Sequence, residues 1–191
     1  MHDIRPCLPE LFTDPGSLLY IGARVDAHSW LDELAEAGNI IDILEVWEQN
    51  EDELRLSPVI DRVREIFRWD VKEIDIDPDC DVFDPFWGKM RDYIFWWHGP
   101  EHLKADEIKT VLATLETRTR RTIALACPWG LCPQGAHEGN PYEVYQTTLY
   151  PDFFTELGYE VATNGEADKP GSEIVAWKRK GERFPFERYG D

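Results

Sequence analysis

A glycine and a carboxylate near the start of the chain have residue types and a spacing that suit ligand binding. The apolar run Ser17–Ala23 contains Gly22 near its end. Glu45 follows 23 residues after Gly22, near the end of a second apolar run. A glycine lets a ligand approach the backbone closely, and a carboxylate about 20 residues past such a turn can accept hydrogen bonds from two ribose hydroxyls. The alternative is structural, with Gly22 serving a tight turn and Glu45 a solvated acid at a strand end.

Two histidines in the middle of the chain are the candidates for catalysis. His98 and His102 flank Glu101, and a histidine there could act as a base or orient a substrate. The alternative is that the segment starts a helix, where an acid such as Glu101 favours the helix dipole. Earlier in the chain, Asp75 and Asp77 could accept hydrogen bonds from an exocyclic amine, or could simply cap a loop.

The elements that must position these residues alternate between strands and helices. Apolar runs predict strands at 17–23, 39–47, 69–77, 91–99 and 122–130, and a hairpin over 159–180; helices are predicted at 28–38, 57–67, 100–121 and 150–158. This order predicts an α/β fold with a mostly parallel sheet, in which ligands bind at the carboxyl ends of the strands. We expect one domain over 1–191, with an N-terminal extension at 1–16 and a tail at 181–191.

Composition limits the classes of partner. The formal net charge is −18, which makes binding to bulk nucleic acid unfavourable because such binding rests on Lys and Arg contacts to phosphates. The four cysteines lack a CxxC pair and indicate reduced thiols in a cytoplasmic protein with no metal site. No signal peptide or membrane-spanning run is predicted. The oligomeric state is left open.

Two segments resemble the class I S-adenosylmethionine-dependent methyltransferases, in particular the small methyltransferase type 11-like proteins. They are "DYIFWWHGPEHL" at 92–103 and "ALACPWGLCPQGAHEGNPYEVYQTTLYPDFFTELGYEV" at 124–161, and the resemblance extends over residues 17–180. It implies a Rossmann-like seven-stranded sheet in the order 3-2-1-4-5-7-6, with strand 7 antiparallel and helices on both faces. It also implies S-adenosylmethionine as cofactor and S-adenosylhomocysteine as product.

The resemblance implies roles for individual residues. Gly22 and Ala23 would lie under the methionine part of the cofactor, and Glu45 would hold the ribose. The other implied contacts are Val46 and Asp75 (or Asp77) with adenine, Trp97 and His98 with the sulfonium and the acceptor, and the loop 132–145 over the acceptor.

The turn after the first strand departs from the family pattern D/E-x-G-x-G-x-G. Tyr20 stands at the position of the acid and Arg24 at that of a later glycine. Arg24 could pair with the cofactor carboxylate or fill the pocket. Two hypotheses follow: methyl transfer to a small-molecule or protein acceptor, or a non-catalytic binding or scaffold protein with the same fold. A nicotinamide-dependent oxidoreductase fits less well, because the turn lacks G-x-G-x-x-G.

Overall fold

One mixed sheet of seven strands organises the protein. The computed structural model describes residues 3–25, 29–73, 89–136 and 139–181. The strand order is β3-β2-β1-β4-β5-β7-β6, as predicted. The strands are β1 Ser17–Ile21, β2 Ile40–Glu45, β3 Val63–Arg68, β4 Arg91–Trp97, β5 Thr119–Pro128, β6 Glu160–Asn164 and β7 Glu173–Arg179.

Helices cover both faces of the sheet, and each face has its own apolar core. The helices are α1 Glu10–Thr13, α2 Leu31–Glu36, α3 Glu48–Leu56, α4 Ala105–Arg118 and α5 Pro151–Thr155. Leu34 of α2 and Leu54 of α3 belong to one cluster, whereas Leu112 of α4 and Phe154 of α5 belong to the other. The central strands are therefore buried on both sides, which explains their nearly continuous apolar sequences.

Alternation along β4 assigns its two tryptophans to different faces. Phe95 and Trp97 pack in the cluster that contains α2, and Trp96 packs in the cluster of α4. This is the two-residue period of a regular strand.

Strand β7 runs antiparallel to β5, as predicted, and this direction matters for the site. Glu173, the first residue of β7, pairs with Pro128, the last residue of β5. The start of β7 therefore lies at the edge where the parallel strands end.

A cluster of ion pairs around a buried carboxylate joins β2, β3 and β4 at the opposite end of the sheet. Asp42 of β2 is 1% exposed and accepts from Arg91 Nε at 2.9 Å and from Arg64 Nε at 2.8 Å. Because the carboxylate contacts β3 and β4 at once, it helps to fix the register of these strands.

The third strand does not lie where the sequence predicted it. β3 occupies Val63–Arg68 and overlaps the last five residues of the predicted helix 57–67, and residues 69–73 of the predicted strand 69–77 lie beyond its end. The segment before it is a short 3₁₀ turn, Pro58–Arg62, whose N-cap Ser57 accepts from the Val59 N–H. Pairing along the free edge of β2 favours an extended chain for residues whose local pattern suited a helix.

Two further boundaries differ from prediction. The long helix begins at Ala105, because Pro100–His102 forms a separate 3₁₀ turn, and the Glu107 carboxylate accepts from the Lys104 N–H at 2.8 Å. β5 begins at Thr119 rather than at 122. The predicted N-terminal extension contributes to the core, since Leu8 and Leu11 are fully buried; residues 182–191 of the predicted tail lie outside the described residues.

Candidate functional site

A cavity of about 810 Å³ opens at the carboxyl edge of the sheet. Its walls come from the ends of β1, β2, β4 and β5 and from the start of β7. The loop after β5 forms its roof, and we call the described residues 131–136 and 139–147 of this loop the strap. The location agrees with the rule that ligands of open α/β sheets bind at this edge.

The turn after β1 leaves open space at Gly22. Its φ is +69°, its N–H donates to the Leu44 carbonyl at 2.9 Å, and a Cβ at this position would meet no atom of the described residues within 4 Å. Gly22 lines the cavity. The Ala23 side chain is fully buried in the core. Tyr20, at the position of the family's acid, is 1% exposed and packs edge-on against Phe95 at a centroid distance of 5.0 Å.

Glu45 ends β2 as a buried carboxylate on the cavity wall. The residue is 4% exposed, and its Oε1 accepts from the backbone N–H groups of Val46 at 2.9 Å and Trp47 at 2.8 Å. Burial raises the pKa of Glu45 to about 7, with a further contribution from the nearby Glu143 carboxylate. The carboxyl group is therefore aimed by backbone donors and keeps acceptor capacity toward the cavity.

The Arg24 side chain lies at the wall of the cavity and does not fill it. It lines the wall, and its Nη1 lies 3.2 Å from Oε1 of Glu143 in the strap. Gln134 Nε2 donates to the second Glu143 oxygen at 3.3 Å. The rings of Trp47 and Tyr142 meet next to this pair at a centroid distance of 6.0 Å, so the strap is joined to the β1 and β2 ends by one ionic and one aromatic contact.

The end of β3 brings two residues to the cavity that the sequence analysis did not select. Trp69 is 48% exposed and lines the cavity. Its backbone N–H donates to the Glu45 carbonyl at 2.9 Å. Asp70 lines the same wall and lies 3.4 Å from Lys72 Nζ. Val46 lies beside them. The predicted Asp75 and Asp77 fall outside the described residues. Asp70 was missed because its strand was predicted six residues too late.

His98 follows β4 and is held between two acids. Its Nε2 lies 3.0 Å from Glu173 Oε1, and its Nδ1 lies 3.4 Å from Glu101 Oε1. Burial lowers the pKa of His98, but the two carboxylates raise it more, to about 10. At neutral pH His98 is therefore an imidazolium, which can orient a substrate but does not accept a proton.

Backbone strain is concentrated at the same cavity. His98 has φ +50° and Asp168 has φ +61°, and both line the wall. Non-glycine residues in this region carry a conformational cost that the surrounding structure must offset, and they are typical of functional sites.

His102 lies behind the strap. It lines the cavity with 14% of its side chain exposed, and Tyr145 packs edge-on against it at 5.0 Å. Among the described residues, its buried Nδ1 and the buried Glu101 Oε2 lack hydrogen-bond partners, and Glu101 Oε1 has only the 3.4 Å ion pair with His98 and a longer contact with His102. Trp97 also lines the cavity and has a buried Nε1 that finds no hydrogen-bond partner in the described part of the chain. Buried polar atoms without partners are uncommon and point to a ligand or water at the site.

Within the described ranges, no group of three or more His, Cys, Asp or Glu residues is arranged to hold a metal ion. The described cysteines, Cys7, Cys127 and Cys132, are free thiols. Cys80 lies outside these ranges.

Solved structures share this architecture at low sequence identity, while neither a protein-family model nor a curated protein matches the sequence. TehB from Haemophilus influenzae superposes with a TM-score of 0.65 at 12% identity, covering 95% of this chain and 63% of TehB. The DhpI complex with S-adenosylhomocysteine gives 0.62 at 14% identity, covering 94% and 87%. Magnesium protoporphyrin IX methyltransferase from Synechocystis PCC 6803, with bound S-adenosylmethionine, gives 0.58 at 12% identity, covering 93% and 78%. The fold is that of the class I S-adenosylmethionine-dependent methyltransferases.

Proposed function

We propose that this protein transfers a methyl group from S-adenosylmethionine to a small-molecule or protein acceptor. The observation that carries the proposal is the buried Glu45 carboxylate at the end of β2, on the wall of a cavity that is open above Gly22. The fold supports it, because this carboxylate and this turn are the places where nucleoside ligands bind in such sheets.

The residues present fit the cofactor. The cavity volume of about 810 Å³ lies within the usual range of small-molecule sites, about 300–1,000 Å³. Glu45 can accept from the ribose hydroxyls, and Val46 and Trp69 offer apolar surface for adenine. Asp70 is a second candidate, besides Asp75, for the adenine amine. Gly22 would present its backbone to the methionine part, whereas Ala23, which the resemblance also places there, is buried in the core behind this wall.

The remaining wall forms the acceptor half, which consists of His98, Pro128, the strap, Asp168 and residues 170–173. When bound, S-adenosylmethionine supplies a sulfonium methyl group that passes to the acceptor nucleophile as the carbon–sulfur bond breaks. Trp97 and His98 would orient the acceptor, and the strap would exclude water; most of the acceleration would come from positioning the two reactants. If the acceptor must lose a proton, His102 is the better candidate base, because His98 is already protonated.

Calorimetric titration with S-adenosylhomocysteine tests the proposal. We expect the wild type to bind, and Glu45→Gln to weaken binding by about tenfold or more, because one charged acceptor of ribose hydroxyls is lost. Asp52→Asn, which removes an exposed carboxylate from α3, is the matched control and should bind like the wild type. Absence of binding in the wild type would refute the proposal.

The alternative is a non-catalytic binding or scaffold protein. It is favoured by Tyr20 and Arg24, which replace residues of the family's turn. Thermal unfolding separates the two hypotheses, because a ligand at 100 times its Kd stabilises a protein by about 2.7 kcal/mol. An unchanged unfolding midpoint at millimolar S-adenosylhomocysteine would favour the scaffold.

A further inference from the structure

The ion pair between Arg24 and Glu143 connects the turn after β1 with the strap. Both residues line the cavity, and their side chains keep 36% and 17% of their surface exposed. The methionine end of the proposed cofactor is a zwitterion, with one carboxylate and one ammonium group. A wall that presents one cation and one anion side by side is complementary to such a group.

Arg24 is the cation best placed for the carboxylate. Among the described residues that line the cavity, the Lys and Arg side chains are Arg24 and Lys72. Lys72 lies beyond the end of β3 and pairs with Asp70. Arg24 lies two residues after Gly22, next to the open space above the turn.

Glu143 is the acid best placed for the ammonium group. The other carboxylates on the described wall each have a hydrogen-bond partner at 3.0 Å or less; they are Glu45, Asp70, Asp168 and Glu173. The contacts of Glu143 with Arg24 and with the Gln134 side chain are longer, at 3.2 and 3.3 Å.

We propose that Arg24 and Glu143 together bind the amino-acid end of the cofactor. Arg24 binds the carboxylate of the cofactor, and Glu143 binds the ammonium group of the cofactor. The inference rests on the proposed function and adds a strap residue to the cofactor site. Insertion of the zwitterion between the two side chains leaves every charge paired, so neither charge becomes buried without a partner.

Two ligands that differ only in the amino-acid end test this inference. 5′-Methylthioadenosine shares the adenosine and the sulfur of S-adenosylhomocysteine but lacks the amino-acid group. We expect Arg24→Gln and Glu143→Gln each to weaken S-adenosylhomocysteine by about tenfold or more, since each removes a charge-assisted hydrogen bond. Binding of 5′-methylthioadenosine should change by less than about twofold.

Glu48→Gln is the matched control, because Glu48 is an exposed acid of α3 whose carboxylate pairs with Arg68; it should leave both titrations unchanged. Unfolding midpoints of all variants check that the fold is intact. Equal losses for the two ligands, or no loss for S-adenosylhomocysteine, would overturn this inference alone. A wild type that binds neither ligand would overturn the proposed function as well.

Discussion

Glu45 and His98 show how one cavity sets the charge of two side chains in opposite ways. Burial raises the pKa of Glu45 to about 7, so its proton is held more tightly than in water. His98 is partly buried, which lowers its pKa, but the carboxylates of Glu101 and Glu173 raise its pKa to about 10. The same wall therefore carries an acid that is partly neutral near pH 7 and an imidazole that is charged.

The raised pKa of His98 predicts a loss of stability in alkali. A group whose pKa is higher in the folded state stabilises the fold below its unfolded pKa, and this contribution disappears as pH rises to the folded pKa. We expect the unfolding free energy of the wild type to fall by on the order of 1 kcal/mol more than that of His98→Gln between about pH 7 and 10, after allowing for solvent screening. Urea unfolding across this range measures it; parallel pH profiles would contradict the role of His98.

At the residue scale, the sequence indicated those site residues that follow a strand with a clear apolar pattern. Gly22, Glu45 and His98 were selected in this way, and all three line the cavity. Glu143 was not selected, because it lies in a long loop without periodicity, and only the folded chain brings it to Arg24. Which of these residues touch a ligand stays a prediction.

The turn after β4 is the element that depends most on a single glycine. A Cβ on Gly99 would lie 1.8 Å from Nε1 of Trp96, a side chain that is 2% exposed. The chain can pass over the Trp96 ring only without a side chain at this position. This turn also sets the direction of His98 and of the 3₁₀ segment that carries His102.

We therefore expect Gly99→Ala to destabilise the protein by about 1–3 kcal/mol, the usual cost of overpacking in a rigid core. Gly135→Ala is the control, because a Cβ there meets nothing within 4 Å, and it should change stability by less than about 0.5 kcal/mol. Chemical denaturation measures the difference between the two variants. Equal effects would show that Trp96 moves aside.

At the element scale, the secondary-structure prediction was wrong for β3, the strand at one edge of the sheet. The buried strands β1, β2, β4 and β5 were predicted to within a few residues, because strands covered on both faces have long apolar runs. β3 is paired on one side only, by β2, and the burial of its residues does not alternate. Its short sequence therefore suited a helix as well as a strand until the partner strand was known.

For the whole molecule, the alternation of elements predicted a mostly parallel sheet, and the resemblance implied the order of its seven strands; the order is confirmed. The formal charge of −18 acts at the same scale, because it creates a repulsive field around the entire surface. None of the helices in the described part of the chain is long and apolar enough to cross a membrane. The cytoplasmic location and the single domain stay predictions.

The negative field predicts that nucleic acid is not the acceptor. We expect a labelled 20-base-pair duplex to show no change in fluorescence polarisation with about 10 μM protein in about 50 mM salt, a condition under which basic proteins bind without sequence preference. Single-stranded RNA of similar length should behave in the same way. Binding that weakens with added salt would contradict this prediction.

The antiparallel course of β7 divides the site between two parts of the chain. The turns after β1, β2 and β3 face the proposed cofactor, whereas the connection between β6 and β7 supplies Asp168, and the start of β7 supplies Glu173, to the proposed acceptor half. That connection lies next to an edge strand, where insertions and exchanges disturb few core contacts. We therefore expect exchanges in this connection to change which acceptor the proposed enzyme takes, while its proposed cofactor contacts stay unchanged.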